Sequence, residues 1–322
     1  MVRFGFHASH EQFAPSYLLE CARTAEQAGF RAAMCSDHFH PWTASGGQAG
    51  FAWSWLGAAM QATRLPFGVV CAPGQRYHPA IIAQAAATLA EMFPDRFWLA
   101  LGSGEALNER ITGERWPDKA ERNARLKECV EVIRALWAGE TVTHRGRWVR
   151  VEAARLYTRP ETPPLIFGAA VSEATAEWVG GWADGLMTIS QPYEQLQRMV
   201  EAFRGGGGAG KPIHLQVGMS FAPTEEEAVG SAHERWRTAI LPPTLNWELA
   251  TPEQFDAVGD FVRPEDVAGK LRVSADVGRH IEWLRGDIEL GFDGLYLHNV
   301  GGHLPYVIDT FGERVLPVLQ RD

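Results

Sequence analysis

Short runs of apolar and β-branched residues alternate along this chain with longer stretches in which apolar positions recur every three or four residues. A strand covered on both faces needs only such a short run, and a helix lying against it needs a single apolar stripe. The runs predict strands at Arg3 to His7, Ala32 to Ser36, Phe67 to Cys71, Phe97 to Leu101, Leu165 to Phe167, Gly185 to Thr188, Ile213 to Ser220 and Gly294 to His298. The longer stretches predict helices at Ser16 to Ala28, Ala80 to Met92, Lys119 to Ala138, Ser172 to Trp182, Tyr193 to Phe203, Thr224 to Arg237 and Ala275 to Leu290. Strands that alternate with helices pair in parallel through crossovers, and eight such units close into a (β/α)8 TIM barrel more readily than they lie as an open sheet. With 322 residues the chain has the length of one barrel domain, and residues 1–322 are read as a single unit.

Two segments break the alternation. Residues 139–164 contain Val142-Thr143-His144-Arg145-Gly146-Arg147-Trp148-Val149-Arg150-Val151, which reads as a hairpin insertion. Residues 241–264 carry Pro242-Pro243 and Pro252, which prevent long helices. Both are candidate lids. The run Gly205 to Gly208 follows a helix and lacks the lysine and hydroxyl residue that close a phosphate loop, so it reads as a turn. Thr224 before Glu225, Glu226 and Glu227 places a capping hydroxyl and then negative charge at a helix start, and Ser172-Glu173 is similar.

Composition narrows the classes. A net charge of -9 argues against a nucleic-acid partner, which calls for a basic face. No run reaches the ~20 apolar residues of a membrane span. The first residues enter strand-like alternation without the zones of a secretory leader, so a soluble cytoplasmic protein is expected. Cys21, Cys35, Cys71 and Cys129 are widely spaced and read as reduced packed thiols, with no metal site. Twelve Trp and sixteen Phe supply rings that fill a core or line the pocket of a flat ligand.

Candidate chemistry collects at predicted strand ends, which a barrel brings to one rim. Asp37 and His38 follow the second strand with Trp42 nearby; imidazole suits base catalysis near neutral pH, although a histidine at a strand end also serves as a structural hydrogen-bonding group. Neighbouring residues of an extended chain point apart, so Asp37 and His38 are expected to have separate roles. Glu105 follows the fourth strand in a turn with two glycines, with Asn108 and Glu109 one helical turn on; a helix cap or a solvated turn acid is the alternative. The loop Cys71 to Pro79 could border a ligand ring. Gly168-Ala169-Ala170, at the end of the fifth strand and the start of a helix, fits either a phosphate cradle or ordinary packing. His214, His233 and His280 read as structural or surface residues, whereas His298 ends the last strand.

Three blocks, Ser36-Asp37-His38-Phe39-His40-Pro41-Trp42, Gln75-Arg76-Tyr77-His78-Pro79-Ala80-Ile81-Ile82-Ala83-Gln84 and Gly102-Ser103-Gly104-Glu105-Ala106-Leu107-Asn108-Glu109, resemble the luciferase-like flavin and deazaflavin oxidoreductases in composition and order. The likeness runs from Ala8-Ser9-His10-Glu11-Gln12-Phe13-Ala14-Pro15 to the final strand. Within that family the chain is similar to the F420-dependent glucose-6-phosphate dehydrogenases, and Phe51-Ala52-Trp53-Ser54-Trp55 is similar to a branch of non-F420 flavinoid oxidoreductases. The resemblance implies a luciferase-like barrel, commonly a homodimer, with a tricyclic ring bound at the C-terminal rim. It implies hydride transfer between an alcohol or sugar carbinol and coenzyme F420, FMN being the alternative cofactor of a reductase or monooxygenase. A barrel that binds flavin without turnover is the reading of another class.

Residue by residue, His38 resembles the base, Trp42 the indole that stabilises charge, and Glu105 the acid beside the ring. Asp37, Val70, Cys71, Ser103, Gly104, Gly168, Ala169 and Ala170 fall at cofactor-contacting positions, with a non-prolyl cis peptide expected at Val70–Cys71. Glu11, Gln12, Asn108 and His298 fall on the substrate side. Where the sugar-phosphate enzymes carry a phosphate-gripping lysine after strand six, this chain has Ser190-Gln191-Pro192, which argues against a phosphorylated sugar.

Overall fold

The computed structural model describes residues 2–44 and 47–320. Strand β1 (Arg3–Ala8) is followed by α1 (Pro15–Gln27), β2 (Ala32–Ser36), α2 (Ala52–Ala62), β3 (Phe67–Cys71), α3 (Pro79–Met92) and β4 (Phe97–Leu101). A single turn, α4 (Ala106–Glu109), and α5 (Lys119–Trp137) lead into a hairpin of β5 (Val142–Arg145) and β6 (Arg150–Ala154). The chain continues through β7 (Leu165–Ala169), α6 (Glu173–Gly180), β8 (Gly185–Ile189), α7 (Tyr193–Phe203), β9 (Ile213–Ser220) and α8 (Glu225–Trp236). Short helices α9 (Pro243–Asn246), α10 (Pro252–Gly259) and α11 (Pro264–Ala268) precede β10 (Arg272–Val273), α12 (Val277–Glu289) and β11 (Gly294–Asn299).

Strands β1, β2, β3, β4, β7, β8, β9 and β11 pair in parallel in that order, and β11 returns to β1, so the sheet closes on itself. This is the expected eight-stranded (β/α)8 barrel, and each predicted strand and helix is present with ends displaced by at most two residues. Helix α2 was not among the expected elements. Its Ala52, Trp53, Trp55, Leu56, Ala59 and Met60 are buried, and the exposed face adds Ala58 and Ala62, so Ser54 and Gln61 alone mark its polar stripe. The four cysteines are buried free thiols. Among the described residues no helix is long and apolar enough to cross a membrane.

Alternation within the strands divides an outer core under the helices from a plug inside the barrel. Phe4, Phe6, Phe67 and Val69 face the helices, while Met34, Trp98, Phe167, Met187 and Tyr296 fill the interior. His214 stacks on Phe167 at 4.3 Å between ring centres, which confirms it as a packed structural histidine. Large rings are admitted because glycine stands opposite them: a Cβ on Gly68 would lie 2.0 Å from the Trp98 ring, and one on Gly5 2.4 Å from Tyr296. Gly68→Ala is therefore expected to overpack the plug and cost about 1–3 kcal/mol, read as a lower denaturation midpoint in urea.

The two insertions part company. The β5–β6 hairpin folds as expected but packs on α5, where the Glu128 carboxylate accepts the amides of Arg147, Trp148 and Val149 at 3.2, 3.1 and 3.0 Å. None of its residues reaches the cavity described below, so the hairpin is not a lid. Residues 241–264 do cover the rim: Pro243 and Pro252 each open a short helix, where a missing N–H costs nothing, and Leu241, Pro242, Pro243, Asn246 and Trp247 line the cavity. The insertion is fastened by Ala106, whose amide donates to the Trp247 carbonyl at 3.0 Å, and by Ala44, whose amide donates to Asp256 Oδ2 at 2.9 Å.

The expected cis bond at Val70–Cys71 is corrected: the structure contains no cis peptide among the described residues. Cys71 stays in register with Leu101, and its carbonyl accepts the Gly102 amide at 3.0 Å. The parallel ladder thus holds this bond in the extended trans form, which avoids the ~3 kcal/mol cost of a cis bond.

Candidate active site

Above the plug, at the C-terminal ends of the strands, lies a cavity of about 610 Å³. That volume suits a cofactor ring together with a small substrate. Its wall includes Glu11, Asp37, His38, Trp42, Val70, Cys71, Ser103, Gly104, Glu105, Asn108, Ala169, Ala170 and His298 from the expected set. These residues come from the C-terminal ends of β3, β7 and β11 and from the segments that follow β1, β2, β4 and β7, and they meet only because the sheet closes.

Register explains the first meeting. Ala8 pairs with Cys35, so Glu11 and His38 stand three residues beyond paired positions on adjacent strands, and His38 Nε2 lies 3.3 Å from Glu11 Oε1. On the other side of the ring, Asn108 Nδ2 is 3.1 Å from His38 Nδ1. Asn108 Oδ1 already accepts the amides of Phe39 and His40 at 2.8 and 3.2 Å, so its amide nitrogen must be the group turned to the imidazole. His38 Nδ1 is then an acceptor, Nε2 carries the hydrogen, and Nε2–H donates to Glu11. Burial, reinforced by the Arg76 cation, lowers the His38 pKa to about 3, so the ring is neutral. Burial raises Glu11 to about 7, and the neighbouring Asp37 charge adds to this. The contact is a hydrogen bond between a neutral imidazole and a carboxyl group poised to titrate near neutrality.

Asp37 and His38 do point apart. Arg76 Nη2 donates to the Asp37 carbonyl at 2.7 Å and to its Oδ2 at 3.2 Å. The Arg76 amide donates to Glu109 Oε2 at 2.8 Å, and its Nε lies 3.5 Å from Glu109 Oε1. Burial raises both Asp37 and Glu109 while the Arg76 guanidinium opposes it. Glu105 is left outside this network. Its Oε2 is buried with no hydrogen-bond partner, and burial together with the Glu11 and Glu109 charges raises it to about 7. The turn α4 thus presents two carboxyl groups with different fates: Glu109 is tied to Arg76, and Glu105 faces the cavity.

Two expected contacts are corrected. Gly168 does not line the cavity, because alternation turns it outward and its missing side chain makes room for Val179 of α6, whose Cγ1 would lie 2.3 Å from a Cβ there. Gln12 also lies behind the wall: its Nε2 donates to the Val300 carbonyl at 2.7 Å, leaving Oε1 to accept His298 Nε2–H at 2.9 Å. Gln12 therefore orients His298, whose Nδ1 accepts from Gln216 Nε2 at 3.0 Å. Arg76, Lys119, Gln216 and Trp236 line the cavity without having been singled out. Arg76 lies within the Gln75 to Gln84 segment that resembles the family; Lys119 and Trp236 are the first and last residues of helices, where side chains read as ordinary helix faces.

The cavity fits a flat, polar-edged ring in two respects. Small side chains at Ser103, Gly104, Ala169 and Ala170 leave room along one wall, and the unpartnered Glu105 carboxyl needs a polar group to meet it.

Residues 1–294 match the luciferase-like monooxygenase family. The F420-dependent glucose-6-phosphate dehydrogenase of Nakamurella multipartita is 37% identical over 329 residues, covering 99% of this chain and 97% of that protein. The enzyme of the same description from Mycobacterium tuberculosis is 33% identical over 332 residues, covering 99% and 98%. A solved F420-dependent secondary alcohol dehydrogenase, in complex with an F420-acetone adduct, superposes with a TM-score of 0.93 at 30% identity, covering 99% of both chains. Full-length matches at this level, on the barrel and site just described, establish that the chain belongs to the luciferase-like monooxygenase family.

Proposed function

We propose that this protein is an F420-dependent dehydrogenase, an oxidoreductase that moves a hydride between the carbinol carbon of an alcohol and the deazaflavin ring. The observation that carries this reading is the convergence of Glu11, His38, Trp42 and an unpaired Glu105 on one cavity, in a chain whose full-length relatives bear F420-dependent dehydrogenase names. Coenzyme F420, when bound, supplies the two-electron hydride chemistry. Asp37, Val70, Cys71, Ser103, Gly104, Ala169 and Ala170 would hold it.

Oxidising an alcohol requires the hydroxyl proton to leave as the hydride does. Because His38 Nδ1 is held by Asn108 and Nε2 already bears hydrogen, the pair has its open proton-accepting capacity on Glu11. We assign the base to the Glu11–His38 couple, with the carboxylate as acceptor and the imidazole orienting it. Glu105, raised to about 7, holds a proton at a carboxyl facing the cavity and serves as the acid toward the cofactor. The Trp42 ring, 5.4 Å from that of His38, offers its face to positive charge developing at the reacting carbon and shields it from water. A homodimer of one barrel domain per chain, in the cytoplasm, belongs to the same proposal.

Titrating the purified chain with F420 and, separately, with FMN tests the reading. Saturable quenching of F420 fluorescence with no retained FMN is expected. Tight FMN retention without F420 affinity would overturn it in favour of a flavin enzyme, and absence of any ring ligand would leave only a barrel scaffold.

A further inference from the structure

We propose that Trp236 completes an aromatic box that selects an uncharged alcohol with an apolar carbon body and rejects a phosphorylated one; this rests on the dehydrogenase reading above and names its substrate class. Rings follow one another around the substrate side of the cavity. Trp42 meets Trp236 edge to face at 6.3 Å and 72°, and Trp236 meets His298 at 4.9 Å and 85°. His38 lies against Trp42, and Phe255 of the insertion backs the same indole at 5.1 Å and 84°. Both imidazoles have their nitrogens engaged, His38 by Asn108 and Glu11, His298 by Gln216 and Gln12. What they offer a ligand is therefore carbon surface. Ile240, Leu241 and Pro242 extend the apolar wall toward the rim.

The charges facing the same space are wrong for a phosphate. Glu11, Asp37, Glu105 and Glu109 all face the cavity. Of the cations among the described lining residues, Arg76 is bound to Asp37 and Glu109, and Lys119 donates to Ser103 Oγ at 2.9 Å beneath the Trp247 ring. Lys270 stands exposed at the rim. The turn after β8 is neutral and already occupied: Ser190 Oγ donates to the Gln216 carbonyl at 3.3 Å and accepts the Gly218 amide at 3.1 Å, and Gln191 Nε2 donates to Met199 Sδ at 3.0 Å. A dianion placed here would lose its hydration beside four carboxyl groups, and the cations left to meet it are Lys270, solvated at the rim, and Lys119, already held by Ser103. A hydroxyl, by contrast, finds Glu11, and its carbon body finds indole.

Saturation-transfer NMR on the full chain without cofactor, with cyclohexanol and with glucose 6-phosphate as probes, reads this selection directly. Transfer to cyclohexanol and none to glucose 6-phosphate is expected, with the cyclohexanol signal lost in Trp236→Ala and kept in Trp236→Phe. Ile240→Asp, at a half-buried rim position, repeats the test should the alanine variant fold poorly, and is expected to weaken cyclohexanol. Equal or stronger transfer to the sugar phosphate, no transfer to cyclohexanol, or indifference to both substitutions would overturn the inference. With F420 added, kcat/KM for cyclohexanol should exceed that for glucose 6-phosphate by at least about 100-fold. Discrimination in binding without turnover of either compound would sink the dehydrogenase reading and leave the box standing.

Discussion

Replacing Glu11 by Gln is expected to lower kcat for alcohol oxidation by about 10²–10⁴-fold, the usual worth of a positioned proton acceptor. The isosteric amide still accepts from His38 Nε2–H, so F420 affinity by fluorescence titration should change little. The pH profile separates loss of the base from loss of shape. With the Glu11 pKa raised to about 7, the ionised acceptor accumulates as pH rises toward that value, while Glu105, also raised to about 7, must keep its proton; wild-type kcat/KM for oxidation should trace a bell centred near 7 whose climbing limb belongs to Glu11. The climbing limb should be absent in the Gln variant. His38→Ala should also lose turnover, because it releases the carboxylate from its orientation, and the double variant should be scarcely worse than either single one. A Glu11→Gln enzyme that keeps its pH limb and most of its rate would return the base to His38 or to a group outside this couple.

The second large effect concerns Arg76. Its guanidinium is buried between Asp37 and Glu109, both raised by burial and held down chiefly by that cation, with Arg125 adding to the effect on Glu109. Arg76→Met strands two buried carboxylates, and breaking such a pair from one side costs about 3–5 kcal/mol. The cost depends on pH with a definite sign. Folded-state carboxyl pKa values above the unfolded ones mean that the native state binds more protons, so stability falls as pH rises from the ordinary carboxylate range through the raised values. Loss of the cation raises both groups further, which steepens the fall. Urea denaturation should show a large deficit for the variant at about pH 8 and a smaller one at about pH 5.5, near the ordinary carboxylate range. A deficit independent of pH would mean that Arg76 acts through packing rather than charge.

The barrel was legible because strands covered on both faces must be short and apolar, and Phe67 to Cys71 or Phe97 to Leu101 admit little else. Helix α2 was not, since its exposed face carries Ala58 and Ala62 beside Ser54 and Gln61, and so few polar residues blur its period. At the site, Asp37, His38, Trp42 and Glu105 announced themselves as polar or aromatic residues directly after apolar runs. The partnership of Glu11 with His38 did not, because it depends on the β1–β2 register, which pairs Ala8 with Cys35. Gly168 was misread for a related reason: three small residues in a row look alike in sequence, yet the pleat sends Gly168 to α6 and Ala169 to the cavity. Trp236 lay hidden at the end of a helix whose buried positions are alanines.

The bond between the Ala106 amide and the Trp247 carbonyl joins the covering insertion to the first residue of the turn that Glu105 caps. Swinging the insertion outward strips an acceptor from that amide, at about 1–3 kcal/mol if water is slow to replace it. The doorway and the turn that carries Glu105 thus share one hinge pin, so any movement of the entrance is felt at the residue next to that carboxyl group.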